Sequence, residues 1–169
     1  MLTAEDLIRR LGLQPLPVEG GYFTQSYVSA ESVPAEALPP RYGSPRPFST
    51  AIYYLLTSDA DSFSALHRLA TDEVYHFYLG DPVELLLLRA DGSGEVITIG
   101  TGLDQGMRPQ IMVPRGTWQG SRLKPGGSFA LLGTTMAPGF EFADFELAPR
   151  DHLLASHPAY SAMILQLTR

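Results

Sequence analysis

Short strand-like runs follow one another closely along most of the chain, and they limit its possible folds more than any other feature. Turn signals such as Gly80-Asp81-Pro82 and Asp91-Gly92 separate the runs. Many short strands with no helices between them favour a β-sandwich or β-barrel over a parallel βαβ sheet. We therefore predict an all-β fold with strands over residues 22–28, 50–57, 62–67, 74–79, 83–89, 95–99, 111–113 and 129–135.

Both ends of the chain carry other signals. Thr3, followed by two acidic residues and an apolar period, predicts an N-capped amphipathic helix that ends at Gly12. Residues 147–156 predict a second short helix, and residues 163–167 a final edge strand. Residues 140–145 alternate like an edge strand that serves for packing, with Asp144 as a polar anchor.

A long proline-rich loop is predicted over residues 29–48. Loops of this length inside compact domains usually carry a function or an interface. The two interpretations that we keep open are a cover for a pocket and a contact between two subunits.

Composition excludes several classes of function. At 169 residues the chain matches a single domain, residues 1–169, and it has no cysteine. Disulfides, thiolate zinc sites, iron–sulfur clusters and cysteine nucleophiles are therefore excluded. The net charge of -6, without a lysine or arginine cluster, argues against nucleic acid or a membrane surface as partner. The first ten residues resemble neither a signal peptide nor a membrane span, so we expect a cytoplasmic protein.

The most informative motif begins at His67. Side chains alternate between the two faces of a strand, so His67 on one strand and Glu73 and Tyr75 on the next can face one interior pocket. A later turn, Pro114 to Gly116, precedes Gln119. An imidazole beside a carboxylate can act as an acid–base pair near neutral pH, or it can hold a divalent metal ion. Alone, His67 is equally compatible with a hydrogen-bonded structural role.

These motifs resemble those of the cupin superfamily, His-x-His…Glu…Gly and Pro-x-Gly-x-x-His. His67 and Glu73 occupy two of the four positions that hold metal in that superfamily, whereas Leu69 and Gln119 stand where histidines would be. The resemblance implies a jelly-roll barrel, the double-stranded β-helix of cupins, with short terminal helices. Any divalent metal would be weakly bound, with His67 and Glu73 as its ligands.

Further segments resemble one cupin family, DUF985. They are Glu19-Gly20-Gly21-Tyr22-Phe23, residues 50–56, residues 72–78, Val113-Pro114-x-Gly116-Thr117-Trp118-Gln119 and residues 137–147. Membership implies a homodimer related in shape to sugar-nucleotide epimerases, without a settled activity. It also implies that Leu69 and Gln119 are features of the family.

We expect a small-molecule ligand in the pocket and, as the leading function, isomerisation or epimerisation of a carbohydrate-like or hydroxy-carbonyl compound. The alternatives are a non-catalytic metabolite sensor and, third, a metal-dependent oxygenase. The candidate catalytic residues are His67, Glu73 and Tyr75, and the candidate substrate contacts are Gln119, Glu19, Tyr22, Tyr53 and Thr117.

Several of these residues have a second interpretation. The tyrosines suit pocket walls as well as acids, Glu19 suits a turn, and Gln119 suits turn support. His76 has the opposite parity to Glu73, which favours an outward or interface position, and Trp118 suits core or dimer packing.

Overall fold

The computed structural model describes residues 2–169 and consists mainly of antiparallel strands. The helices are α1 Ala4–Leu11, α2 Arg150–Ser156 and α3 Ser161–Gln166. The strands are β1 Gln14–Pro15, β2 Tyr22–Val28, β3 Ser32–Val33, β4 Arg46–Pro47, β5 Thr50–Thr57, β6 Ser64–Arg68, β7 Glu73–Gly80, β8 Val83–Leu88, β9 Gly94–Ile99, β10 Gln110–Val113, β11 Trp118–Leu123, β12 Phe129–Met136 and β13 Glu146–Leu147.

Two antiparallel sheets face each other. The six-stranded sheet has the order β1-β2-β5-β12-β7-β10, and the five-stranded sheet has the order β13-β6-β11-β8-β9. The chain alternates between the sheets from β5 to β8 and again from β9 to β13, which is the connectivity of a jelly roll. The predicted all-β jelly-roll barrel is confirmed, and β3 pairs with β4 outside the two sheets.

Apolar side chains fill three layers. Between the sheets, the inward residues of β8, among them Leu85 and Leu87, pack against β5 and β12. The outward residues Leu86 and Leu88 pack under α2 and α3, and a third cluster joins α1 to the outer face of β5. Because helices cover its outer face, the five-stranded sheet is buried on both sides there, and residues 85–88 of β8 are continuously apolar rather than alternating.

The first helix has the predicted ends. Thr3 Oγ1 accepts a hydrogen bond from the Asp6 N–H at 3.2 Å, and the Asp6 carboxylate accepts one from the Thr3 N–H at 3.3 Å. This reciprocal capping box satisfies N–H groups that have no partner inside the helix. Gly12 ends the helix with φ 62°, a left-handed conformation that glycine adopts without strain.

Two predictions of secondary structure are wrong, and one strand has no counterpart in the prediction. Residues 163–166 belong to α3 and Leu167 caps it, since a short apolar run fits a buried helix as well as a strand and here Ile164 and Leu167 pack on the five-stranded sheet. Residues 140–145 contain a 3-10 turn, Phe142–Asp144, instead of an edge strand. Strand β11 was not predicted, because its polar interior residues interrupt the apolar pattern.

The second helix starts later than predicted, at Arg150, because Leu147 pairs with His67 as part of β13 and Pro149 caps the helix. The proline-rich loop contains β3, β4 and two 3-10 turns. Within residues 2–169 no helix combines the length and the apolar character that a membrane span requires.

Asp144 is the polar anchor that the sequence predicts. Its carboxylate accepts two hydrogen bonds from the fully buried Arg46, at 3.0 Å from Nε and 2.7 Å from Nη2. The remaining guanidinium N–H groups donate to the Ser44 side chain and to backbone carbonyls, including that of Tyr42 at 2.9 Å. This pair ties the proline-rich loop to the segment that follows β12.

Candidate active site

A cavity of about 600 Å³ lies between the two sheets and opens beside the loop that precedes β2. Its volume is typical of small-molecule sites. Much of the wall is apolar and includes Leu16, Phe23, Ile52 and Met136. The polar side chains on the wall include His67, Glu73, Tyr75, Tyr54, Thr134 and Glu19. An apolar wall with a few convergent polar groups is the usual form of a ligand pocket.

His67 presents one ring nitrogen to this cavity. The ring is buried, and its Nδ1 lies 2.8 Å from the carbonyl oxygen of Ala65, which can only accept, so Nδ1 donates. The neutral imidazole then carries its lone pair on Nε2. Phe145 stacks on the ring with centroids 5.0 Å apart. His67 is therefore held in one orientation as a base, since both its tautomer and its plane are fixed by neighbours.

Glu73 starts β7 and is also buried. Its Oε2 accepts a hydrogen bond of 2.8 Å from Gln119 Nε2. Burial raises the pKa of Glu73 above its ordinary value, because the carboxylate loses water; the neighbouring His67 opposes this shift and Glu19 adds to it. The protonated acid is therefore favoured more than in an exposed glutamate.

Two phenols complete the polar cluster. Burial raises the pKa of Tyr54 and of Tyr75 well above the ordinary value, and the nearby carboxylates of Glu19 and Glu73 raise it further. Both side chains therefore remain neutral phenols that can donate a hydrogen bond. Tyr54 donates to the carbonyl oxygen of Gly20 at 2.9 Å, which fixes the loop at the cavity.

Glu19 reaches the cavity from that loop. Its Oε1 accepts a hydrogen bond of 2.7 Å from Ser64, and its carbonyl accepts one of 2.8 Å from the Ala65 N–H. A register shift between β6 and β11 pairs Ser64 with Ser121 and turns Ser64 toward the interior. Gly20 has φ 105°, and a Cβ there would lie 2.3 Å from the Phe63 carbonyl oxygen, so the close approach requires glycine.

The loop also holds a strained residue. Val18 has φ 71°, a conformation that a β-branched side chain adopts at a cost, and it lies exposed on the cavity wall. Strain of this kind persists where surrounding contacts impose it. Two hydrogen bonds impose it here: the Gly20 N–H donates to the Leu16 carbonyl at 3.0 Å, and the Leu16 N–H donates to the Gly21 carbonyl at 2.9 Å.

A family model described as cupin superfamily (DUF985) matches residues 5–148 of this sequence. The chain belongs to the DUF985 family of cupins. A structure from Shewanella oneidensis is 35% identical, with a TM-score of 0.85 over 100% of this chain and 99% of that one. A hypothetical protein from Leishmania major is 32% identical, with a TM-score of 0.86 over 99% of each chain. No curated protein shows significant sequence similarity to the chain.

More distant cupins share only the fold with this DUF985 protein. A cupin 2 conserved barrel domain protein from Rhodopseudomonas palustris is 12% identical, with a TM-score of 0.59 over 93% of this chain and 88% of that one. Oxalate decarboxylase from Bacillus subtilis is 13% identical, with a TM-score of 0.52 over 92% of this chain and 37% of that one. The family membership and the cupin fold are thus confirmed.

The residues of this DUF985 protein do not fit the metal site of the superfamily. Leu69 lies on the cavity wall and has no donor atom. Gln119 directs its amide nitrogen, which cannot ligate a metal ion, at Glu73 Oε2. Among residues 2–169 there is no group of three or more metal-binding side chains with a suitable arrangement. His67 and Glu73 alone remain as donors, which is fewer than a stable metal site requires.

The structure brings most of the candidate residues of the DUF985 protein to one place. His67, Glu73, Tyr75 and Glu19 lie on the cavity wall. Gln119 lies behind Glu73 and pairs with His67 in the strand register, so it positions the carboxyl group.

The structure does not bring Tyr22, Tyr53 or Thr117 to the cavity wall. Tyr22 and Tyr53 pack against the cluster beneath α1, where Tyr53 meets Tyr78 edge to face at 5.9 Å. Thr117 is buried in the turn before β11. The inward residue of β5 is Tyr54, one position later than expected, because side chains alternate between faces.

Sequence reasoning missed Tyr54, Thr134 and the aromatic segment that contributes Phe140 and Phe145. The order Thr50-Ala51-Ile52-Tyr53-Tyr54 alternates weakly, so it gives no signal for which tyrosine faces inward. The run of aromatic residues after Pro138 is a sequence signal for Phe140 and Phe145, although its alternation predicts an edge strand instead of a cavity wall.

His76 and Trp118 lie away from the cavity. His76 is partly exposed on β7, 3.2 Å from Thr135 Oγ1, and stacks on Tyr78 with centroids 6.5 Å apart. Trp118 is buried in the cluster beneath α2 and α3, with the Arg68 guanidinium 4.5 Å from its ring centroid. Its role is core packing, so it offers no support for a subunit contact.

Proposed function

We propose that this protein transfers protons on a small hydroxy-carbonyl or carbohydrate-like compound, as an isomerase or epimerase. The observation that carries the proposal is the presence of His67 and Glu73 on one enclosed wall. His67 donates from Nδ1 to the Ala65 carbonyl, which leaves Nε2 as the nitrogen that can take a proton, and Glu73 is a carboxyl group whose pKa is raised by burial. An oriented imidazole beside a carboxyl group that burial holds toward its protonated form can supply a general base and a general acid.

The proposed reaction begins with His67 Nε2 taking the proton from the carbon next to the substrate carbonyl. Glu73 donates its proton to the carbonyl oxygen, which gives a neutral enediol, an imidazolium and a carboxylate. The imidazolium then delivers its proton to the neighbouring carbon, which gives the isomer, or to the opposite face of the original carbon after the enediol has turned over in the cavity, which gives the epimer. The carboxylate then recovers its proton from the enediol hydroxyl, so no net charge is gained or lost.

Other wall residues support this chemistry. Tyr75 is a neutral phenol near Glu73 and can donate a second hydrogen bond to the developing oxyanion. Gln119 holds the Glu73 carboxyl group in position from behind. The apolar side chains around the cluster exclude water, which strengthens each polar interaction inside the cavity.

The test is exchange of hydrogen for deuterium in heavy water, followed by proton NMR over a panel of aldoses, ketoses and hydroxy-keto acids. We expect loss of the signal at the carbon next to the carbonyl for at least one compound. H67Q and E73Q are expected to slow exchange by about a hundredfold or more, the usual contribution of a general acid or base. H76Q is the matched control, since His76 lies outside the cavity wall.

Absence of exchange for every compound, or unchanged exchange in H67Q, would contradict the proposal. Binding of a compound without exchange would instead support a non-catalytic metabolite-binding protein. The observation that favours this second candidate is the apolar wall around a cluster whose polar groups already engage one another, as in the Gln119–Glu73 and Ser64–Glu19 hydrogen bonds. Saturation-transfer NMR on the same panel separates the two functions.

A metal-dependent oxygenase has the weakest support of the three functions. One Bacillus subtilis oxalate decarboxylase structure, at 13% identity and a TM-score of 0.50, is described as having Mn(II) centers. In the present chain Leu69 supplies no ligand and the amide of Gln119 is engaged with Glu73. The shortage of metal-donor side chains thus favours the proton-transfer function over the oxygenase.

A further inference from the structure

A second cleft, of about 410 Å³, lies behind the wall of the main cavity. Leu69 and Phe145 line both spaces, so their side chains form the partition between them. The cleft differs in character from the cavity, because Arg41, Arg68 and Arg115 lie around it. Three guanidinium groups at one concave site are notable in a chain of net charge -6.

Two of these arginines have no carboxylate partner among the described residues. Arg41 donates hydrogen bonds from Nε to the Ala70 carbonyl at 3.0 Å and from Nη2 to the Tyr42 hydroxyl at 3.3 Å, and its guanidinium lies 4.6 Å from the Tyr42 ring centroid. The side chain of Arg115 makes no hydrogen bond or ion pair within residues 2–169. Both side chains are exposed and retain free N–H donors.

The acidic groups at the cleft are already engaged. Glu146 accepts two hydrogen bonds from Arg68, at 2.7 Å and 3.0 Å. Asp144 is bound to the buried Arg46. Asp72, beside the cleft, accepts a hydrogen bond of 2.8 Å from the Arg115 backbone N–H. Arg41 and Arg115 therefore line the cleft without an ion-pair partner among the described residues.

We propose that this cleft is a binding site for an oxyanion, either a phosphate or a carboxylate group, held by Arg41 and Arg115. A planar guanidinium presents parallel N–H groups that match the oxygen spacing of both anions. Arg68 lies at the same cleft, where the Glu146 carboxylate neutralises it. The proposal concerns a site separate from the catalytic cavity and does not depend on the proposed function.

The test is titration with inorganic phosphate and, separately, with acetate in a low-salt buffer at neutral pH. Two readouts serve, calorimetric heat and the fluorescence of Trp118, whose ring lies beneath the Arg68 guanidinium. We expect a saturable isotherm with a Kd in the millimolar range or below, the strength of a few charge-assisted hydrogen bonds. Tighter binding of phosphate than of acetate would identify a phosphoryl ligand, and the reverse a carboxylate.

Four substitutions test the assignment. R41Q and R115Q are each expected to weaken binding by about tenfold or more, through loss of a charged donor. R108Q is the matched control, because Arg108 is exposed and lies outside the cleft. E146Q is expected to tighten binding several-fold, since it removes a negative charge and frees Arg68. A folding defect cannot produce that increase.

Three results would overturn the proposal. They are no saturable binding of either anion by the parent, equal weakening by R108Q and R115Q, or no change in R41Q and R115Q. Because Arg115 is exposed and its side chain makes no hydrogen bond or ion pair within the described chain, R115Q tests the site even if R41Q does not fold.

Discussion

Replacing Asp144 by Asn is expected to destabilise the fold strongly. The substitution keeps the size of the side chain and removes its charge. One amide oxygen can still accept from Arg46, but the amide nitrogen then faces an N–H group instead of accepting from it. The Arg46 guanidinium, which is fully buried and hydrogen-bonded on every side, is left as an unpaired charge.

The size of the effect follows from that burial. Removing one partner of a buried ion pair typically costs about 3–5 kcal/mol, since the remaining charge stays in a medium that solvates it poorly. Total stabilities of domains lie at about 5–15 kcal/mol, so D144N would lose a large fraction. For a chain of this length each kcal/mol lowers Tm by about 2–4 °C, which gives a decrease of about 10 °C.

The assay is urea denaturation followed by far-UV circular dichroism, with a thermal melt in parallel. E146Q is the matched control, because the Arg68–Glu146 pair lies nearby in an exposed position, with 42% and 53% of the two side chains accessible. Exposed pairs contribute about 1 kcal/mol or less, so E146Q should change the free energy of unfolding very little. The double variant R46M/D144L should recover most of the stability lost in D144N, because it leaves no charge buried.

A loss below about 1 kcal/mol in D144N would refute the reasoning. It would mean that water reaches the Arg46 guanidinium and that the pair resembles a surface ion pair. A double variant that is as unstable as D144N would likewise show that packing around the two side chains, and not the unpaired charge, sets the cost.

Three further predictions concern the cavity and the assembly. The folded-state pKa of Glu73 lies above its unfolded value, so its contribution to stability is present at low pH and is lost as pH rises through the folded pKa. Compared with E73Q, the parent should therefore lose resistance to urea above about pH 4.5. The variant L69H/Q119H should bind nickel or zinc near-stoichiometrically in calorimetry, whereas the parent should show little heat. Tight binding by the parent would contradict the conclusion that its side chains do not form a metal site. Strand β1 pairs only with Tyr22 and Phe23, so the rest of β2 lies at the sheet edge, near the exposed apolar side chains of Tyr27 and Phe48. We therefore expect a homodimer, for which sedimentation should give twice the monomer mass at micromolar concentration, and a monomer would contradict it.

Much of the fold could be predicted from the sequence. Alternation and turn signals located eight of the strands, and the ends of α1 followed from Thr3 and Gly12. The spacing of His67 and Glu73 placed them on one wall. These features are local, because period-2 alternation, caps and glycine turns depend on residues close together in the chain.

Other features depend on contacts that no local pattern records. Residues 163–166 form part of a helix because the outer face of the five-stranded sheet offers them an apolar surface. Tyr54, not Tyr53, faces the cavity, because both faces of β5 are covered and the apolar pattern does not distinguish them. The bulge that turns Ser64 inward likewise has no signal in the sequence.

The sequence by itself therefore determined the all-β class, the cupin motif and the pair formed by His67 and Glu73. Only the tertiary structure decided which side chains complete the cavity and that Arg46 and Asp144, 98 residues apart, anchor its border. The physical reason is that alternation states only that a strand has two faces. Which face meets a cavity, and which distant charge neutralises a buried arginine, is set by how the sheets and helices pack.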